Sequence, residues 1–208
     1  MAVEMTRMNM KKMQIKKIIV GPIETNCYLV VSGNELAVID PGDEADRIIS
    51  GIQDLGKVNY KYILLTHGHF DHVMAVNELK GKYGFKVIVG EKDTDIQSLN
   101  AQIRIETEAI LPDVTVKEGD ELELGEEKIG VFATPGHTKG SVCYKISQNL
   151  FSGDTLFHRS HGRTDLPGGS DEEMGKSLDK LLKLDENIKV YPGHSNETTI
   201  KAERENYA

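Results

Sequence analysis

Four side chains able to bind metal ions fall within six residues, His67, His69, Asp71 and His72, in the run Thr66-His67-Gly68-His69-Phe70-Asp71-His72. Neutral imidazole suits zinc, iron and copper, and a carboxylate adds charge and can bridge two ions. Solvated loops seldom gather three histidines and an aspartate behind an apolar run such as Tyr62-Ile63-Leu64-Leu65, so the spacing points to a metal site. Three later segments repeat one design: an apolar strand, a tight turn with glycine or Pro-Gly, then a single ligand-type residue. Val131-Phe132-Ala133-Thr134-Pro135-Gly136 leads to His137, Leu150-Phe151-Ser152-Gly153 to Asp154, and Lys189-Val190-Tyr191-Pro192-Gly193 to His194. Each alone reads as an ordinary loop residue. Together with the first cluster they hold five of the seven histidines of the chain. Seven candidate ligands exceed the four that close a structural zinc site. They suit two ions, which two-metal hydrolases hold ~3.5–4 Å apart, with a shared carboxylate offsetting the repulsion between the cations.

Presenting those residues together requires strands that end in turns. Apolar patterning predicts strands over 15–20, 28–31, 36–39, 62–65 and 85–89, with Ser32-Gly33-Asn34 as a hairpin turn and Asp40-Pro41-Gly42-Asp43 as a stop. Further strands are expected over 121–124, 128–133, 141–146, 149–152 and 188–191. Helices are expected over 44–55, where Ile48, Ile49, Ile52 and Leu55 share one face, over 73–79, and over 171–184 with Ser170 as N-cap. A further helix is expected from Asn196 onward, and residues 91–111 read as polar and helical in part, closed by Pro112. Two groups of strands, each trailed by helices, fit an α/β protein of four layers, an αββα sandwich of two mixed β-sheets. No linker-like tract divides the chain, so residues 13–208 are expected to form a single domain behind a flexible leader over residues 1–12.

A hydrophobic share of 38% and a charged share of 28% are those of a soluble globular protein. No apolar run approaches the ~18–20 residues that span a bilayer, and the leader lacks the apolar core of a secretion signal. A net charge of −8 speaks against a nucleic-acid partner, which needs a basic footprint. Two bound divalent ions would cancel half of that charge. Cys27 and Cys143 stand in strand-like apolar runs and are expected as buried free thiols of a cytoplasmic protein.

The order of these motifs resembles the metallo-β-lactamase superfamily and, within it, the glyoxalase II-like thioesterases. The resemblance runs from about Met13 to His194. Its H-x-H-x-D-H motif stands at His67, His69, Asp71 and His72, and the later family positions fall on His137, Asp154 and His194. The resemblance implies that His67, His69 and His137 bind one metal, that Asp71, His72 and His194 bind a second, and that Asp154 bridges them. It implies that Asp40, in the Asp-Pro-Gly turn, supports the ligands from behind. The loop Gly162-Arg163-Thr164-Asp165-Leu166-Pro167-Gly168-Gly169 is similar to one in glyoxalase II-like proteins, where Arg163 and Asp165 are expected to pair and hold the metal loop. His158 and His161 in the same loop are expected to be solvated. Longer glyoxalase II enzymes continue into a helical domain that binds glutathione, whereas only fourteen residues follow His194 here.

These readings imply a hydrolase with two divalent ions, zinc foremost, with iron and manganese as alternatives. Such ions lower the pKa of a shared water from ~15.7 toward ~7, and the bridging hydroxide would attack a small-molecule acyl thioester such as S-lactoylglutathione. Asp71 is the expected catalytic residue, orienting that hydroxide while holding the second ion. Alternatives of the same fold are a persulfide dioxygenase with one iron held by two His and one Asp, and a lactonase. The oligomeric state and the substrate-binding residues are not legible.

Overall fold

The computed structural model describes residues 13–207, so the leader expected over residues 1–12 lies outside the described residues. Alternation along buried strands sorts the core into three layers. Strand β2 (Thr25–Ser32) is buried at every position, the mark of a strand covered on both faces. Its Cys27, Leu29 and Val31 pack with Ile48, Ile49, Ile52, Val76 and Leu79 of two helices. Its Tyr28 and Val30 point the other way, toward Val131, Tyr144, Phe151 and Tyr191 of a second sheet. A third cluster, with Cys143, Leu150 and Val190, covers the far face of that second sheet with Met174, Leu178, Leu181 and Ile200. The result is the expected four-layer αββα sandwich.

The first sheet is six-stranded, ordered β1 (Gln14–Val20), β2, β3 (Glu35–Ile39), β4 (Asn59–Leu64), β5 (Lys86–Gly90) and β6 (Val114–Val116). The second runs β12 (Thr198–Thr199), β11 (Lys189–Pro192), β10 (Asn149–Gly153), β9 (Val142–Ile146), β8 (Glu127–Ala133) and β7 (Glu121–Leu124). Pairs β3–β4, β4–β5, β5–β6 and β10–β11 are parallel and the rest antiparallel, so both sheets are mixed. Helices α1 (Ala45–Gln53), α2 (Val76–Tyr83), α3 (Ile96–Ala101), α4 (Asp171–Leu181) and α5 (Ile200–Asn206) complete the described residues. None is long and apolar enough to cross a membrane. Both cysteines are free and buried, as expected.

Several expectations need correction. The helix read over 73–79 begins only at Val76, after a single 3-10 turn at Phe70–His72. Its intended first turn is spent elsewhere: Met74 N donates to Gly42 O (3.1 Å) and Ala75 N to Pro41 O (3.0 Å), so these amides anchor the Asp-Pro-Gly turn. Strand β6 went unread, since three residues after Pro112 carry too little periodicity to register. Residues 91–111 are helical only in α3, where Asp95 caps by accepting from Ser98 N. Helix α4 stops at Leu181, three residues short of expectation, although Ser170 caps it as predicted by accepting from Glu173 N. The terminal helix starts at Ile200 rather than Asn196, because β12 and its cap Thr199 come first.

Candidate metal centre

The parallel pairings decide where the ligands meet. β3 and β4 run the same way, and so do β8, β10 and β11, so their carboxyl ends open onto one edge of the sandwich. Asp40 follows β3, and the run from Thr66 to His72 follows β4. From the other sheet come His137 after β8, Asp154 directly after β10, and His194 after β11. Binding sites on a rigid scaffold concentrate in such loops. Close approach is built into the turns. A side chain on Gly193 would collide with Asp154 Oδ1 and the His72 ring, and one on Gly42 would collide with the Asp71 carbonyl. Asp40 itself holds a left-handed backbone (φ 49°), a conformation that aspartate tolerates better than most residues.

All seven predicted ligands converge at this edge. His67, His69 and His137 bring one ligand atom each within 4.8 Å of one another, and so do Asp71, His72 and His194. A third such group, His67, His72 and Asp154, overlaps both and sets Asp154 at the seam. Its Oδ1 lies 3.4 Å from His72 Nε2, and its Oδ2 lies 3.5 Å from His137 Nε2 and 3.6 Å from His194 Nε2. His69 Nδ1 is 2.8 Å from His137 Nε2, so the two nitrogens address the same space.

The hydrogen-bond partners assign which ring nitrogen faces inward. His137 Nδ1 donates to the Arg163 carbonyl (2.7 Å) and His194 Nδ1 to the Ile23 carbonyl (3.1 Å), which leaves both Nε2 lone pairs toward the centre. Thr66 Oγ1 gives its proton to Asp40 Oδ2 (2.7 Å), so it accepts from His67 Nδ1 (3.2 Å). Asp40 also accepts from Thr66 N (2.8 Å) and lies 3.0 Å from His72 Nδ1, at an angle too bent for a full hydrogen bond. Asp40 thus holds the start of the loop that carries His67, His69, Asp71 and His72. Partners of this kind fix the tautomer and ring orientation that a metal needs.

The residues fit a pair of metal ions. His67 Nε2, His72 Nε2 and Asp154 Oδ1 are buried without a hydrogen-bond partner. Each such orphan costs about 1–3 kcal/mol, and several in one cluster mark a missing electrophile. Burial, reinforced by the neighbouring histidines, drives the pKa of His67 well below 6.5 and that of His69 down to about 3. Both are thus the neutral, ligating form at neutral pH. Burial opposes the charge of Asp71, but His72 and His194 outweigh it and hold the carboxyl well below the usual range. Burial likewise opposes the charge of His72, yet Asp71, Asp154 and Asp40 together raise it well above 6.5.

Two supports escaped the sequence reading. Asp93 is buried, and its carboxylate accepts from Gly68 N (3.1 Å), Thr138 Oγ1 (2.6 Å) and Gly140 N (2.8 Å). It thereby ties the His67–His69 loop to the loop of His137. Asn100 accepts from Phe70 N (2.8 Å) and donates to Gly68 O (2.9 Å), bracing the same loop from α3. No local pattern announces either, because the loops they brace lie far away in sequence. Arg163 and Asp165 do pair, through two 2.7 Å bonds, but their side chains are 62% and 68% exposed. Such a pair contributes little, and it is the Arg163 carbonyl that touches His137. His158 and His161 are exposed, and His161 Nδ1 lies 3.0 Å from the Tyr207 hydroxyl.

Comparison with known proteins places this arrangement. The chain is 37% identical over 203 residues to the Haemophilus influenzae protein "Hydroxyacylglutathione hydrolase GloC", covering 92% of this chain and 95% of that one. Among solved structures, the BLEG-1 B3 metallo-beta-lactamase superposes with a TM-score of 0.86 at 35% identity, covering 92% of this chain and 97% of that one. TTHA1623, solved in a di-iron-bound form, gives a TM-score of 0.80 at 34% identity, with 90% and 96% covered. The Metallo-beta-lactamase superfamily model spans residues 20–194, from the end of β1 through the last of the converging histidines, and the chain belongs to that superfamily.

Proposed function

We propose that the chain hydrolyses small acyl thioesters with two divalent ions, zinc by preference and iron or manganese as alternatives. The observation that carries this reading is the place of Asp154 between two three-residue groups, with an oxygen toward each. His67, His69 and His137 would hold one ion, Asp71, His72 and His194 the other, and Asp154 both. When bound, the ions supply a water acidified toward neutral pH and a Lewis acid for the carbonyl oxygen. Asp71 presents Oδ2 to His72 and His194, which leaves Oδ1 to accept a hydrogen bond from the attacking water and aim it. The water gives up one proton to solvent and adds as hydroxide to the acyl carbon, the C–S bond breaks, and the thiolate leaves with the bonding pair without needing a strong general acid. The likeness to GloC favours a glutathione thioester such as S-lactoylglutathione. The two buried free thiols fit a reducing setting, and we place the reaction in the cytoplasm.

A second reading, opening of a strained β-lactam ring, is favoured by the likeness to BLEG-1, and the same attack would open a lactone. Metal analysis of the purified protein, paired with thioester, lactone and β-lactam hydrolysis and oxygen uptake with a persulfide, tests the proposal. Two ions per chain with fastest turnover of a thioester is the expected result. One iron with oxygen consumption would replace it by a dioxygenase, and ring opening without thioester turnover would replace it by the second reading.

A further inference from the structure

The start of β2 reaches across the sandwich edge into the second half of the site. Thr25 is 1% exposed, and its hydroxyl donates to Asp71 Oδ2 at 3.1 Å. That same oxygen lies 3.2 Å from His194 Nε2 and 3.3 Å from His72 Nε2. Three groups thus address one carboxylate oxygen, and none among the described residues hydrogen-bonds to Oδ1. The neighbours of Thr25 grip the other ligand loop. Asn26 N donates to Gly193 O (2.7 Å), Asn26 Nδ2 to Pro192 O and Ser195 O (3.0 Å each), and Tyr28 Oη to Pro192 O (2.7 Å). Ile23 O, as described, receives His194 Nδ1.

We propose that Thr25 is a positioning residue for Asp71: its hydroxyl fixes the carboxylate rotation so that Oδ2 faces the second ion and Oδ1 faces the reacting water. The inference rests on the two-ion hydrolase proposed above and deepens it. A carboxylate held only by the ion can turn about its Cβ–Cγ bond, exchanging its oxygens. A hydrogen bond from a β-branched side chain, stiff at χ1, removes that freedom. Thr25 hydrogen-bonds to neither His69 nor His137, so its effect belongs to the second ion alone.

The test compares Thr25→Val, which keeps the shape and removes the donor, with Thr25→Ser, which keeps the donor. Metal-free protein is titrated with cobalt(II), read by visible absorption and by competition with a chromophoric chelator. Loss of such a supporting partner weakens metal affinity or activity by about 10–100-fold. The Val variant is therefore expected to bind the first cobalt as wild type does, to bind the second 10–100-fold more weakly, and to lose kcat rather than raise KM. The Ser variant should return the second-ion affinity and kcat to near wild type. Wild-type affinity for both ions in the Val variant would overturn the proposal, and so would equal losses at both ions, or a Ser variant as impaired as Val. Should Val prevent folding of the metal-free chain, Ser against Ala carries the same reading. The titration uses no thioester, so a protein that binds two cobalt ions and hydrolyses none would fail the proposed function and leave this inference standing.

Discussion

His67, His72, His137 and His194 each direct one ring nitrogen to a protein oxygen, so the other is committed inward before any ion arrives. Protonation separates the two halves of the site. Burial holds His67 and His69 neutral at pH 7, so an ion entering there meets no proton on either ring. His72 is held charged by Asp71, Asp154 and Asp40 against the pull of burial. The pKa of His194 is also raised, the Asp71 hydrogen bond and Asp154 overcoming burial. An ion entering the second half must displace those protons. Because these pKa values are raised, competition is strongest at low pH and fades as pH rises through them. Affinity for the second ion should therefore still be climbing as pH passes 6.5, while the His67 and His69 contribution to the first stays level. Calorimetric titrations in buffers of different ionisation enthalpy would show net proton release on the second ion; equal release on both would refute the assignment. In the proposed two-ion site, Asp71→Ala would remove a ligand of the second ion and the orienting Oδ1. One retained ion and a kcat lower by about 10²–10⁴-fold are expected from metal analysis and steady-state kinetics, and full activity would sink the assigned role.

Strands and turns aim these side chains, and Asp93 shows how one loop is held to another. It stands three residues beyond β5, and its three donors come from Gly68, Thr138 and Gly140. Thr138 Oγ1 has a second partner in Ser141 Oγ at 2.7 Å, whereas the two backbone amides depend on Asp93. Asp93→Ala would orphan both, at about 1–3 kcal/mol each. A chain of this size loses about 2–4 °C of Tm per kcal/mol. Melting of the metal-free variant should fall by at least ~4 °C, with weakened binding of the first ion; an unchanged Tm would show that water replaces the carboxylate. The same residue marks the limit of what the sequence discloses. His67, His69, Asp71 and His72 are legible because four ligand types crowd behind an apolar strand, and His137, Asp154 and His194 because each ends a strand at a Gly turn. Their supports are not, since a lone aspartate in the polar run Glu91-Lys92-Asp93-Thr94 looks like any surface carboxylate until the fold brings amides 68 and 140 against it. The central strands were readable from their apolar runs. Strand β6 and the 3-10 turn at Phe70–His72 were not, because tertiary hydrogen bonds outweigh local propensity in segments that short.

At the scale of the whole molecule, the candidate ligands are divided between the sheets. His67, His69, Asp71 and His72 leave β4 of the first, and His137, Asp154 and His194 leave strands of the second. Between the sheets the contact is apolar, with Tyr28, Phe151 and Tyr191 meeting at centroid distances of 5.1–5.6 Å. At the carboxyl edge, where the orphaned imidazoles gather, hydrogen bonds join the sheets as well: Asn26 and Tyr28 donate to the loop of His194, and Asp93 accepts from the loop of His137. In the proposed two-ion site each ion draws ligands from both sheets, since His137 joins His67 and His69, and His194 joins Asp71 and His72. Each ion would thus clamp that edge and bind the native state alone. An ion present at about 1,000 times its Kd adds about 4 kcal/mol of stability, which for a domain of this size raises Tm by about 8–16 °C. Removing metal with a strong chelator should lower Tm by at least that amount, and adding zinc back should restore it. Protection of the amides in the turns after β8 and β11, measured by hydrogen exchange, should fall most on chelation, because those turns carry ligands and lie at the open edge. The middle of β2, buried on both faces by side chains alone, should keep its protection. A Tm indifferent to chelation, in protein shown to carry two ions beforehand, would mean that the two sheets are closed by their own packing and hydrogen bonds and that the ions serve the chemistry without bracing the fold.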